Sequence, residues 1–139
     1  MKTNFRNFLM GAGLTAMLWA PLLKAEENLA VAKIPFDCQV NQTSLPAGTY
    51  MVIMDGNMST IRLRNENTGK SIMLMPPGRE TNTSSTPRLS FRQYSDHYFL
   101  SGIYTNGNPG YTLNKGSLER ELEHSKAAVA MAYVAMENR

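Results

Sequence analysis

Residues 30–40 alternate with a period of two. Ala30, Ala32, Ile34, Phe36, Cys38 and Val40 fall on one side, and Val31, Lys33, Pro35, Asp37 and Gln39 on the other. That period predicts a half-buried strand, bent, bulged or at an edge where Pro35 withholds a ladder donor. Leu45-Pro46-Ala47-Gly48 reads as a turn, and Tyr50 to Met54 as the next strand. Asp55-Gly56 predicts a two-residue hairpin loop, since such turns need positive φ. That loop would pair Met54 with Asn57, Val52 with Ser59 and Tyr50 with Ile61. It turns Tyr50, Val52, Ile61 and Leu63 inward, and Arg62 and Arg64 toward water. A four-residue loop at Glu66-Asn67-Thr68-Gly69 then pairs Leu63 with Ile72 and Ile61 with Leu74. Residues 78–87 are polar and aperiodic, a loop by composition.

Arg88 to Tyr94 forms a fifth strand with Leu89 and Phe91 inward, and Tyr98 to Tyr104 a sixth across a tight turn at Ser95-Asp96-His97. Two registers remain open there. A two-residue turn places Tyr98, Leu100 and Tyr104 with Phe91, whereas a three-residue turn places Phe99 and Ile103 there. Asn106-Gly107-Asn108-Pro109-Gly110 breaks the chain. From Ser117 the spacing changes to three and four, through Leu118, Leu122, Ser125, Val129 and Met136. It predicts an amphipathic helix N-capped by Ser117, with Glu119 and Glu121 at the positive end of its dipole. The fold expected is mainly β: an antiparallel meander of about six strands, forming a small barrel or a two-layer sandwich. Residues 26–112 make this β domain and residues 113–139 a C-terminal helix.

The first 25 residues read as a signal peptide. Lys2 and Arg6 precede an apolar run from Phe8 to Ala20, Pro21 breaks the helix, and Leu23-Lys24-Ala25 offers a cleavage site before Glu26-Glu27. The alternative is an uncleaved N-terminal membrane anchor, for which the run is short, since a span needs roughly 20 apolar residues. A signal helix, removed on export, implies a periplasmic or extracellular protein that meets the membrane only through that segment. It also changes the charge. Of 14 Lys and Arg, three lie in these 25 residues, which hold no acid; the other 11 balance the 11 Asp and Glu. The formal charge of +3 thus gives no reason to expect nucleic acid.

Ile34-Pro35-Phe36-Asp37-Cys38-Gln39-Val40 and Leu45-Pro46-Ala47-Gly48-Thr49-Tyr50, with Pro87-Arg88-Leu89-Ser90-Phe91 and Tyr98-Phe99-Leu100 further on, form a set of motifs. It resembles a family of small exported bacterial proteins of unknown function, abundant in soil bacteria such as acidobacteria, with the pattern I-P-F-x-F-x-V then L-P-A-G-x-Y. The resemblance spans most of residues 31–104 and implies an exported β domain. It carries no activity and no site residue. Cys38 stands where an aromatic is commoner, and the Ala- and Met-rich C-terminal end is longer.

Candidate chemistry is sparse. One cysteine excludes a disulfide framework and a CxxC redox site. Cys38, alternating with Phe36 and Val40, is expected as a buried small hydrophobe. His97 beside Asp96 has no evident nucleophile, and His124 sits among helix charges. No paired carboxylates, metal-ligand spacing or phosphate loop stands out, so no catalytic residue, metal or cofactor is expected. Seven methionines follow residue 25. Thioethers suit Cu(I), but Met51, Ile53, Met58, Met73 and Met75 are better read as an outward apolar patch covered by the C-terminal helix. The expected role is a non-catalytic structural or interaction module of the cell envelope. Its contact surface would be Val129, Tyr133 and Met136 on that helix, against a second copy or an envelope protein. The alternative is a binder of a small apolar or sugar ligand, in the barrel interior or on the cluster Tyr94, Tyr98, Phe99 and Tyr104.

Overall fold

The computed structural model of the chain describes residues 28–54, 60–81, 86–105, 110–125 and 127–138, with side chains from residue 30 onward. The signal segment, the Asp55-Gly56 turn, Met58, residues 82–85 and Asn106 to Pro109 lie outside the described residues. Within them the chain is mainly β. The strands are β1 (Asn28–Ile34), β2 (Cys38–Val40), β3 (Thr43–Leu45), β4 (Gly48–Met54), β5 (Ile61–Asn65), β6 (Ser71–Leu74), β7 (Gly78–Glu80), β8 (Arg88–Tyr94), β9 (His97–Tyr104) and β10 (Gly110–Thr112). A short helix α1 (Ser117–His124) and a last strand β11 (Val129–Asn138) follow. No helix among the described residues is long and apolar enough to cross a membrane.

The strands form one curled, half-barrel sheet in the order β3-β2-β9-β8-β11-β1-β4-β5-β6, with β10 pairing β9 and β7. Its concave side holds the core: Ala32, Ile34, Tyr50, Val52, Ile61, Leu63, Leu89, Phe91, Leu100, Ile103, Val134 and Met136 are all buried. The inward residues expected from alternation are among them.

Several expectations are corrected. The strand expected over residues 30–40 divides at Pro35-Phe36-Asp37, because proline cannot donate to a ladder. β1 pairs β4 and β11, while β2 crosses to the other arm of the sheet and pairs β9 in parallel. The arrangement is therefore not a simple meander of six strands. Asp37 fixes the corner by accepting the Ala47 N–H at 2.8 Å.

The hairpin from β4 to β5 pairs Met54 with Ile61, Val52 with Leu63 and Tyr50 with Asn65. This is not the register that a two-residue loop at Asp55-Gly56 would set. The slip is four positions, an even number, so every side chain keeps its face. The next hairpin has the expected register, Leu63 with Ile72 and Ile61 with Leu74. Between β8 and β9 the turn is Ser95-Asp96, with Ser95 at φ 56°, and Phe91 faces Leu100. A bulge beside Ser90 and Phe91 then inverts the alternation, so Ile103 also points inward and Tyr104 outward. Each of the two open registers holds for half of the strand.

The largest departure is at the C-terminal end. The helix stops at His124, and Gly116, not Ser117, is its N-cap, without a side-chain hydrogen bond. Residues 129–138 are a strand inserted between β8 and β1. Val129 to Met136 also alternates, with Val134 and Met136 inward and Val129, Met131 and Tyr133 outward. A short apolar run fits either period. The free edges of β1 and β8 decide the matter, since both ladders are satisfied only if a strand fills the gap.

The helix does not cover the outward methionines. It lies by the convex side of β8 and β9, held by Glu119, its one buried residue. Arg92 Nε donates to Glu119 Oε1, Arg92 Nη2 to Oε2 at 3.1 Å, and the Tyr94 hydroxyl to Oε1 at 3.1 Å. These charge-assisted donors compensate a carboxylate that burial would otherwise penalise.

Candidate functional site

The aromatic residues singled out as a ligand platform do not come together. Tyr94 and Phe99 lie on the convex side, buried, in an edge-to-face pair 5.7 Å apart. Burial raises the Tyr94 hydroxyl above its ordinary value, and the Glu119 charge adds to this. Tyr98 is on the concave side, stacked on Phe36 at 3.7 Å. Tyr104 is at the far end of β9, on the convex side. Its ring lies against Gly110, where a Cβ would come within 2.5 Å of it, so the close approach requires glycine. Arg88 sits over both Tyr104 and Tyr133, 5.3 and 4.9 Å from the ring centroids. The four aromatics therefore serve three separate packing sites.

The contact residues expected on a helix stand on β11 instead. Val129 and Tyr133 are 50% and 57% exposed, and Met131 between them is 48% exposed. Met136 points into the core, so it cannot belong to a contact surface. On β6 Met73 is exposed, as is Met75 just beyond it; Met51 is half-buried and Met54 buried.

Cys38, Ser44, Asp96 and His97 line one shallow cleft of about 230 Å³. Their chemistry is blunted. His97 Nε2 is 3.6 Å from Asp96 Oδ1, beyond hydrogen-bond reach, and both side chains are largely in solvent. Burial pushes the Cys38 thiol from 9.0 up to about 12, with the Asp37 charge adding to the effect. The thiolate nucleophile is thereby suppressed at neutral pH. A raised native value means that the folded chain holds this proton more tightly than the unfolded one. The resulting stabilisation is fully present below pH 9 and is lost as pH rises toward 12. Cys38→Ala should therefore flatten the decline of the urea midpoint across that interval. Ellman's reagent should leave the folded wild type unmodified at mildly alkaline pH and label it once unfolded. A thiol labelled rapidly in the folded protein contradicts the burial.

A second cleft, of about 530 Å³, lies between β3 and β6, the two ends of the strand order. Nothing in the local sequence marks it, because its walls come from segments some 25 residues apart. Leu45, Pro46, Tyr50, Leu63 and Ile72 give it an apolar wall, and Thr43, Ser44, Asn65, Thr68, Lys70 and Ser71 a polar rim. The wall is well fixed. The Tyr50 hydroxyl donates to the Pro46 carbonyl. Asn65 Oδ1 accepts the N–H groups of Asn67 at 2.8 Å and Thr68 at 3.1 Å, closing the turn into β6. Burial raises the Tyr50 hydroxyl, against a smaller opposing effect of its hydrogen bond with Asn65. Such a site can take up an apolar group and orient a polar one.

No family model, curated protein or solved structure matches the chain.

Proposed function

We propose that this is an exported, non-catalytic interaction module of the cell envelope, with residues 1–25 as a cleaved signal peptide. Export is supported by the N-terminal segment and by the resemblance of the motifs in residues 34–50 to those of small exported bacterial proteins. The observation that carries the interaction reading is the outward row Val129, Met131 and Tyr133. These are three large apolar side chains, about half exposed, on a strand in the middle of the sheet. Apolar side chains grouped in this way mark contact surfaces more often than chance. A second copy of the chain is the first partner to test, since closed homo-oligomers are the commonest assemblies. Size-exclusion chromatography with light scattering should show concentration-dependent association. Met131→Lys with Tyr133→Ser should abolish it and leave the circular dichroism spectrum unchanged. A wild type that stays monomeric turns the search to another envelope protein, and an assembly indifferent to both substitutions removes this face as the contact.

A second reading has its own observation. The core fills the concave side, but the cleft between β3 and β6 remains open and largely apolar. It supports a binder of small ligands, with the site at this seam and not on the Tyr/Phe cluster.

A further inference from the structure

The charge around the seam is one-sided. Among the described residues, Lys70 is the one charged residue lining the cleft, and no ion pair joins it to a carboxylate. Its backbone is tied at both ends. The Lys70 carbonyl accepts the Asn65 N–H at 2.8 Å, and its N–H donates to Thr68 Oγ1 at 3.3 Å. The ammonium therefore swings from a fixed point at the rim. Below it, Leu45, Tyr50 and Leu63 are buried core residues that form the floor, and Ile72 is half-buried. Pro46 and Ile72 complete the apolar lining.

We infer that this cleft takes a small amphiphile, an apolar body with one anionic group such as a carboxylate or sulfonate. The body lies against Leu45, Leu63 and Ile72, and the anion meets Lys70. The volume is within the range of small-molecule sites. The apolar wall supplies most of the affinity by removing hydrocarbon from water. An exposed ammonium adds little affinity but selects the sign of the charge, since a solvent-exposed ion pair is weak and screened by salt. The inference rests on the ligand-binding reading above, and matched probes separate the two.

Anilinonaphthalene sulfonate and its neutral parent, N-phenylnaphthylamine, share one apolar body and differ by the anion. Both should bind the full chain with one site, seen by fluorescence titration. Lys70→Glu, at an exposed position, should weaken the sulfonate about tenfold and leave the neutral dye unchanged; removing one ion pair and adding one repulsion accounts for a change of that order. Added salt should weaken the sulfonate alone. Ile72→Glu should weaken both dyes, while Met131→Lys with Tyr133→Ser should weaken neither. If the two dyes bind alike and Lys70→Glu alters neither, selection for an anion is wrong and the ligand reading survives. If neither dye binds, or binding is lost only in the β11 variant, the ligand reading fails as well. Should Ile72→Glu not fold, the Lys70→Glu comparison still decides for or against the anion.

Discussion

Removing residues 127–139 should abolish cooperative folding. β11 is not an appendage. Its residues pair Val129 with Tyr94 through Ala135 with Arg88 on one side, and Met136 with Ala32 through Asn138 with Ala30 on the other. Without it the strand order parts into two arms, β3-β2-β9-β8 and β1-β4-β5-β6. The core loses Val134 and Met136, each worth about 1.5–3 kcal/mol when buried. Two ladders of backbone hydrogen bonds, about 0.5–1.5 kcal/mol each bond, are lost as well. Together these losses match or exceed the whole stability of an ordinary small domain, about 5–15 kcal/mol. The truncated chain should show no sigmoidal urea transition and a collapsed amide spectrum by NMR. A synthetic peptide of residues 127–139 added in trans should restore both. A truncated chain with a dispersed native spectrum would mean that β11 only decorates the sheet, as a docked C-terminal helix would have done.

The same segment shows where the sequence was legible and where it was not. Alternation identified the inward faces of β1, β4, β5, β6 and β8, because burial on one side of a sheet enforces period two. The β5 to β6 register followed from a loop whose Asn65 caps the turn locally. Where long-range pairing decides, local cues failed. The Asp-Gly signal points to the wrong register for β4 to β5, since the observed one sets Met54 opposite Ile61 and Val52 opposite Leu63 instead of the polar Asn57 and Ser59. The bulge at Ser90 and Phe91 arises from closing a curved sheet, and no residue type announces it. Residues 127–136 are Ala-rich and suit a helix by propensity, yet they fill a gap between two strands about 40 and 100 residues upstream. The cleft at the seam was invisible for the same reason. Cys38, by contrast, was placed correctly as a buried thiol, because its environment follows from its own strand.

Phe91→Ala should cost about 3–5 kcal/mol, the usual range for emptying a buried aromatic site. Phe91 is completely buried, and its ring meets Phe36 edge-on at 5.0 Å. On its own face it lies opposite Leu100 on β9 and Ala132 on β11. Ala132 has no side chain long enough to move into the void, so collapse from that side is blocked. Relief can come from Leu100 or from Phe36, which is half-buried and stacked on Tyr98. If Phe36 tilts inward the loss approaches the lower figure and that stack opens. Phe91→Leu keeps most of the volume and should cost about 1–1.5 kcal/mol. Urea denaturation reads these losses directly, and the double variant with Phe36→Ala separates the ring contact from the cavity. Coupling of about 0.5–1.5 kcal/mol is expected for an edge-on aromatic pair. A Phe91→Ala loss under about 1 kcal/mol, far below the cavity range, would place this ring outside the core and with it the inward face assigned to β8.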